Sequence, residues 1–303
     1  MSIRAALMNF VIRRTVKPQL PDKAADVKAF RERMAGAGNL TPKAPTGVSF
    51  EACQVNQVSC EWVSPEQTNT SAVLLYFHGG GYVMGDAVGY RNLSWRLARA
   101  SGMRVLMVNY RLAPETPFPA ALQDATAVFE WLLSQGYAAD KIVIGGDSAG
   151  GGLALATLLN LKNLGTDLPA AAILISPWVD LTLSGTSYIG NKAKDPMLTR
   201  SVLATWAECY LSGREATAPL ASPLFADLND LPPMLVHVGS TEILNSDSER
   251  LVDKVIELGG SAALKVWPKM VHVFHLFAGR IPEADQAINE LGDYCRANIA
   301  NPS

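Results

Sequence analysis

The sequence predicts an α/β fold in which a mainly parallel sheet is covered by helices. From about residue 50 onward, short β-rich runs alternate with longer stretches of three- and four-residue apolar spacing, the rhythm of successive strand–helix units. The 303 residues are 49% hydrophobic and 18% charged, which supplies a sizeable core and excludes global disorder. No repeat of fixed period and no low-complexity segment breaks the pattern.

In chain order, strands are expected at 54–63, 73–77, 105–110, 141–145, 170–176, 234–238 and 263–267. Between and after them, helical spacing covers 91–100, 119–135, 148–163, 247–258 and 284–298, as Val128, Trp131 and Leu132 illustrate in the second of these. Two segments fit this rhythm badly. In residues 1–48, Ile3, Leu7, Phe10 and Val11 make one apolar helix face with arginines opposite; a second helix is expected over 25–34, and Pro and Gly punctuate the rest of the segment. Residues 184–222 fall between two strands and carry one helix, at 199–211. Both segments are expected to be pieces of a cap over the end of the sheet. That divides the chain into a first cap piece (1–48), core (49–183), a second cap piece (184–222) and core again (223–303). The basic N-terminus could instead lie on a membrane surface, but such faces more often pack on their own domain.

The net charge is −2, which points away from nucleic acid and from a strongly basic membrane-surface protein. Near-neutrality hides an asymmetry: residues 1–43 hold nine Lys/Arg against three Asp/Glu, so they are +6 and the remainder is −8. Cys53, Cys60, Cys209 and Cys295 form no C-x-x-C pair and no disulfide framework, so reduced thiols are expected. Arg13 and Arg14 interrupt the apolar N-terminal run, no small-residue cleavage site comes after it, and no stretch is long enough to span a bilayer. A soluble cytoplasmic protein is the expectation.

The strongest local signal is IGGDSAGGG at 144–152, where Gly146-Asp147-Ser148-Ala149-Gly150 satisfies G-x-S-x-G between a strand and a helix. Such a turn strains the serine and presents its hydroxyl at the carboxyl edge of the sheet, with the Ala149 amide pointing into the same space. A second glycine cluster, HGGGYVMG at 78–85, directly follows the run Val73–Phe77. Neither cluster fits G-x-G-x-x-G, and no G-K-[ST] is present, so a phosphate cradle is disfavoured. Acyl transfer through a serine creates a tetrahedral oxyanion, and fixed backbone N–H groups aimed at it contribute about 3–4 kcal/mol each. An H-G-G-G loop paired with G-x-S-x-G is the lipase and esterase pattern. The oxyanion-hole candidates are therefore Gly79, Gly80, Gly81 and Ala149: Gly80, Gly81 and Ala149 as donors, Gly79 shaping the turn. Side chains at 80 and 81 would block a substrate carbonyl, and His78 is expected to orient the loop.

A serine nucleophile needs a base, and the base an orienting carboxylate. The chain has four histidines. His78 belongs to the glycine loop, and His237 sits within an apolar strand, where a buried structural role is the commoner one. His272 and His275 remain, in a loop that returns to the edge carrying Ser148; His272 is favoured because it comes first out of the strand. For the acid, Glu242 lies in the loop after the preceding strand, whereas Asp247 reads as a helix N-terminal acid. The order Ser148, Glu242, His272 agrees with the α/β-hydrolase order. A metal reading of His272, His275 and Glu242 lacks H-E-x-x-H and spreads over separate segments, so neither metal nor cofactor is expected.

With these motifs placed, the chain resembles the hormone-sensitive lipase family of α/β-hydrolases across nearly its whole length. The resemblance rests on YFHGGGYVMGD (76–86), NYRLAPETPFPAAL (109–122), GGDSAGGGLA (145–154), SPWVDLT (176–182), ASPLFADLNDLPPMLVHVGSTEIL (221–244) and MVHVFHLF (270–277). It implies an eight-stranded, mostly parallel sheet under a helical cap, action on small-molecule esters with short acyl chains, and a homodimer in many relatives. Many relatives carry aspartate where this chain has Glu242. Tyr82 and Val83 are the candidates for shaping the substrate pocket; Asp147, next to the nucleophile, stands with them or braces the turn. Amidases, arylamide deacylases and lactonases use the same machinery. A non-catalytic small-molecule receptor on the same fold is disfavoured because every triad position here is chemically competent.

Overall fold

A two-residue turn at Asn56-Gln57 joins β1 (Val48–Val55) to β2 (Val58–Pro65) as an antiparallel hairpin. Sequence pattern alone predicts one strand through this turn, because Val55 and Val58 continue the β-rich character on both sides. What ends the strand is Asn56 at φ 54°, the left-handed conformation that two-residue hairpin turns require and asparagine tolerates. The remaining strands are β3 (Asn69–Phe77), β4 (Met103–Asn109), β5 (Ile142–Asp147), β6 (Ala171–Ile175), β7 (Met234–Gly239) and β8 (Ala262–Trp267). All eight form one sheet in the order β1-β2-β4-β3-β5-β6-β7-β8, parallel from β4 through β8. The computed structural model describes residues 1–34 and 44–299.

β5 and β6 are buried along their whole length, and β3 from Ala72 onward, because helices cover both faces of the sheet; hence their unbroken apolar runs. Over one face lie α4 (Ala120–Ser134), α5 (Ala149–Leu164) and α8 (Asn245–Glu257), which bury Phe129, Leu158 and Leu251 against Leu75, Ile144 and Leu174. Over the other lie α3 (Arg91–Ser101) and α9 (Pro282–Ile299), which bury Leu97 and Leu291 with Leu74, Val143 and Ile173. Parallel strands share one carboxyl edge, so the loops after β3, β5, β6, β7 and β8 all emerge together. That edge carries every candidate functional residue.

Over this edge the N-terminal helices, α1 (Ile3–Thr15) and α2 (Ala24–Met34), meet the segment between β6 and β7, which holds α6 (Ser187–Gly190) and α7 (Arg200–Leu211). The Arg13 guanidinium donates to the carbonyls of Ala193 and Lys194, at 2.9 and 2.7 Å, and Thr205 Oγ1 donates to Asp22 O at 2.7 Å. Thr199 caps α7 by accepting from the Val202 amide. The apolar face expected on α1 is not the packed one. Ile3, Leu7, Phe10 and Val11 are 89, 62, 54 and 42% exposed, and the helix buries Ala5 and Ile12 instead. Ser2, Ala5, Asn9 and Ile12 follow at three- and four-residue spacing on one face. Bonds from Ser2 Oγ to Glu283, from Asn9 Nδ2 to Lys269 O and from Arg13 to the Ala193 and Lys194 carbonyls hold that side against the domain. The Pro- and Gly-punctuated stretch after α2 lies outside the described residues over 35–43. Among the described residues no helix is long and apolar enough to cross a membrane.

Candidate active site

Ser148 stands at the break between β5 and α5, at φ 54° and ψ −122°, backbone angles that only glycine adopts freely. The turn is close-packed on both flanks. A Cβ at Gly146 would sit 2.2 Å from Gly150 O, and one at Gly150 would sit 2.1 Å from Phe77 O. The Ser148 amide donates to Ile175 O at 2.8 Å, and its carbonyl accepts from Trp178 N at 2.9 Å, so the serine is tied to the end of β6. Among the described residues Ser148 Oγ makes no hydrogen bond, to His272 or to any other group.

The glycine loop is anchored by Asp147. Its buried carboxylate accepts from Tyr76 Oη at 3.1 Å, from Tyr90 Oη at 2.8 Å and from the Gly79 amide at 3.1 Å. Burial pushes this carboxyl up to about 6, against the pull of the Tyr90 and Tyr76 hydroxyls, the His272 charge and the Gly79 amide. Asp147 is thus a brace beneath the loop. Gly79, with its N–H committed to Asp147 and Tyr90, is not free to meet an oxyanion. The amides of Gly80, Gly81 and Ala149 have no acceptor among the described residues. The backbone itself also requires these glycines: Gly80 and Gly81 adopt φ of 111° and 64°, and a Cβ would strike Met84 O and the Trp206 ring respectively.

His78 donates from Nδ1 to Gly79 O at 2.7 Å and stacks on Tyr110, ring centroids 4.4 Å apart. Burial lowers it to about 4, so it is neutral at ordinary pH and serves to hold the loop. Tyr82 and Val83 are fully buried. Tyr82 stacks face to face on Tyr210 of α7 at 3.7 Å, and Val83 O accepts from Arg31 of α2, so both tie the loop to the overlying helices.

On the other side of Ser148, the loops after β7 and β8 bring Glu242 and His272 together: Oε2 lies 2.7 Å from Nδ1, with both side chains buried. Burial works against the imidazolium, yet the Glu242 charge and hydrogen bond, helped by Asp195 and Asp147, hold His272 above its ordinary value. The second oxygen of Glu242 is held by two donors: the Gly239 amide at 2.5 Å and the Ser176 hydroxyl at 2.8 Å. Asn191 donates to Glu242 O at 2.8 Å, and buried Asp195 accepts from Ile243 N at 2.9 Å, so the segment before β7 also grips this loop.

The alternatives lie elsewhere. His275 is buried and bonds to His237, Nε2 to Nδ1 at 3.2 Å, turned away from the Glu242–His272 pair. Asp247 accepts from the amides of Val179 and Asp180 at 3.3 and 3.2 Å, and makes no contact with a histidine. Sequence reasoning missed Ser176, Asp195, Tyr76 and Tyr90. Ser176 begins the SPWVDLT stretch and Tyr76 the YFHGGGYVMGD stretch, which help to carry the family resemblance but suggest no task for either residue; Tyr90 and Asp195 depend on contacts across many residues of chain and carry no local mark.

Comparison with known proteins agrees with this fold. A family described as "alpha/beta hydrolase fold" matches residues 74–276. An acetyl-hydrolase of Streptomyces hygroscopicus is 43% identical, over 88% of each chain. Among solved structures, an esterase from the bacterial hormone-sensitive lipase family superposes with a TM-score of 0.91 at 40% identity, covering 99% of both chains. The structure of EstE5 soaked in ethyl alcohol gives 0.94 at 38% identity, covering 99% of this chain and 100% of that one. The chain belongs to the hormone-sensitive lipase family of α/β-hydrolases.

Proposed function

We propose that this protein, a carboxylic ester hydrolase, cleaves short-chain esters through an acyl-enzyme on Ser148. The observation that carries the reading is the buried 2.7 Å bond between Glu242 and His272 on the edge where Ser148 is held strained. His272, oriented by Glu242, takes the Ser148 proton as Oγ attacks the ester carbonyl. The oxyanion that forms is met by the amides of Gly80, Gly81 and Ala149, the last at the positive end of α5. His272 then protonates the leaving alcohol; water, deprotonated by the same imidazole, attacks the acyl-enzyme and frees the acid and Ser148.

The short acyl preference is supported by Trp206 and Tyr210, which press on the glycine loop, and by the name acetyl-hydrolase that the Streptomyces relative bears. The N-terminal helices and residues 184–222 form the cap that encloses the site. Four free cysteines suit a reducing compartment such as the cytoplasm.

Steady-state kinetics on p-nitrophenyl acetate, butyrate, octanoate and palmitate tests both parts of this reading. The expected result is highest kcat/KM on the acetate or butyrate, and loss of at least about a thousandfold in Ser148→Ala. Undiminished turnover in that variant refutes the nucleophile; highest turnover on palmitate refutes the chain-length assignment.

A further inference from the structure

Ser176 is joined to both loops that carry the proposed acid and base. Its hydroxyl donates to Glu242 Oε1 at 2.8 Å and accepts from the Val273 amide, next to His272, at 3.3 Å. The side chain is completely buried. Ser176 also sits at φ 47°, a left-handed conformation that costs a non-glycine residue free energy, and its amide is fixed to His237 O at 2.6 Å. A strained, buried serine whose one hydroxyl bridges the loops after β7 and β8 has no packing reason to carry that hydroxyl; alanine would fill nearly the same volume.

We propose that Ser176 is a positioning residue for the Glu242–His272 pair, an inference that rests on the acid and base roles proposed for those two residues. The Gly239 amide and the Ser176 hydroxyl together occupy Oε1 of Glu242, which leaves Oε2 to face Nδ1 of His272. By accepting from Val273 N, the same hydroxyl fixes the backbone immediately after the imidazole, itself in the left-handed region at φ 48°. Among the described residues the Ser176 hydroxyl makes no hydrogen bond to Ser148 or to the amides of Gly80, Gly81 and Ala149; its bonds go to Glu242 and to the backbone next to His272. Glu242, Asp195 and Asp147 are the acidic groups whose charge reaches His272, and Ser176 contacts only the first.

The test is Ser176→Ala, with Ser176→Gly as a second variant because glycine takes φ 47° without strain and keeps the fold accessible. On p-nitrophenyl butyrate, both are expected to lower kcat about tenfold, with KM little changed, the size expected for losing one hydrogen bond to a charged group. The acid limb of the kcat/KM profile moves to higher pH, because a carboxylate relieved of one donor presents more charge to His272. The tenfold loss disappears when either change is made in a Glu242→Gln background, since Ser176 then has no carboxylate to aim. A lower Tm with wild-type kcat and an unmoved acid limb overturns the proposal, as does a full tenfold loss persisting without Glu242. Glu242→Gln and His272→Asn alone separate the two levels. If neither loses activity, the acid–base reading fails; if both do and Ser176→Ala does not, only the positioning role of Ser176 fails.

Discussion

The indole of Trp206 on α7 lies so close over Gly81 that a Cβ built there would sit 2.2 Å from its ring carbon Cε3. The helix over the sheet edge and the amide proposed to receive the oxyanion are therefore one packed unit. Gly81→Ala faces two obstacles, this clash and a φ of 64° that costs an L-residue about 1–2 kcal/mol. The variant is expected to lose about a hundredfold in kcat, the scale of one displaced oxyanion donor, together with several degrees of Tm. Adding Trp206→Ala removes the clash and leaves the φ strain, so part of the Tm loss returns. Wild-type kcat in Gly81→Ala would eliminate this amide as a donor.

The pH profile follows from the pairing of Glu242 with His272. As the base, His272 must be neutral, so kcat/KM rises with pH through its folded value, which lies above the ordinary 6.5. Burial alone would lower that value; the Glu242 carboxylate reverses the direction. In Glu242→Gln the reversal is gone. The acid limb is expected to shift toward lower pH while kcat falls, by about two to four powers of ten. A limb that stays put or moves upward in this variant would show that Glu242 does not set the charge state of His272.

Asp147 yields a stability prediction of opposite character from an ordinary surface carboxylate. Its folded value, about 6, lies above the unfolded 3.8. The stability it contributes is complete below about pH 4 and is lost as pH rises through 6, on the order of one kcal/mol per pH unit within that window. Asp147→Asn removes the titration but retains an acceptor for the Gly79 amide. Urea melts at pH 4, 5, 6 and 7 should therefore show wild type losing ground to Asp147→Asn as pH rises. Parallel curves would mean the carboxyl titrates alike in the folded and unfolded chain. Asp147→Ala, which leaves the Gly79 amide without this acceptor, should lower kcat more than Asp147→Asn does.

Features encoded within a few residues were legible before the fold was known. G-D-S-A-G specifies its own turn, because Gly146 and Gly150 are needed within two residues of the serine they flank. The long alternation of Val73–Phe77 and its neighbours with helical spacing likewise marks a doubly covered parallel sheet. What stayed hidden was decided by partners distant in sequence. Ser176 meets Glu242 across 66 residues and Val273 across 97, and nothing near Ser176 announces either. Spacing identifies the apolar stripe on α1 without saying which side the domain offers a surface to; there the bonds of Ser2, Asn9 and Arg13 to distant residues turn the Ala5 and Ile12 side inward. The hairpin at Asn56-Gln57 was lost because valines on both sides made one strand look continuous.

Ser148 itself offers the sharpest trade between stability and chemistry. At φ 54° and ψ −122° the serine occupies a region that glycine enters freely and other residues reach at a cost of order 1–3 kcal/mol. The surrounding bonds enforce it: the Ser148 amide to Ile175 O, and Trp178 N to the Ser148 carbonyl, would both be lost if the turn relaxed. Replacing the serine by glycine removes the strain, keeps both backbone bonds and deletes the hydroxyl. Ser148→Gly is therefore expected to be inactive and more stable than wild type by about 1 kcal/mol, the gain reduced by glycine's freedom in the unfolded chain. Ser148→Ala, which keeps a Cβ and hence the strain, should be equally inactive with a Tm near wild type. Paired thermal melts of the two variants decide it: a Ser148→Gly protein no more stable than Ser148→Ala would mean that this backbone conformation stores no strain.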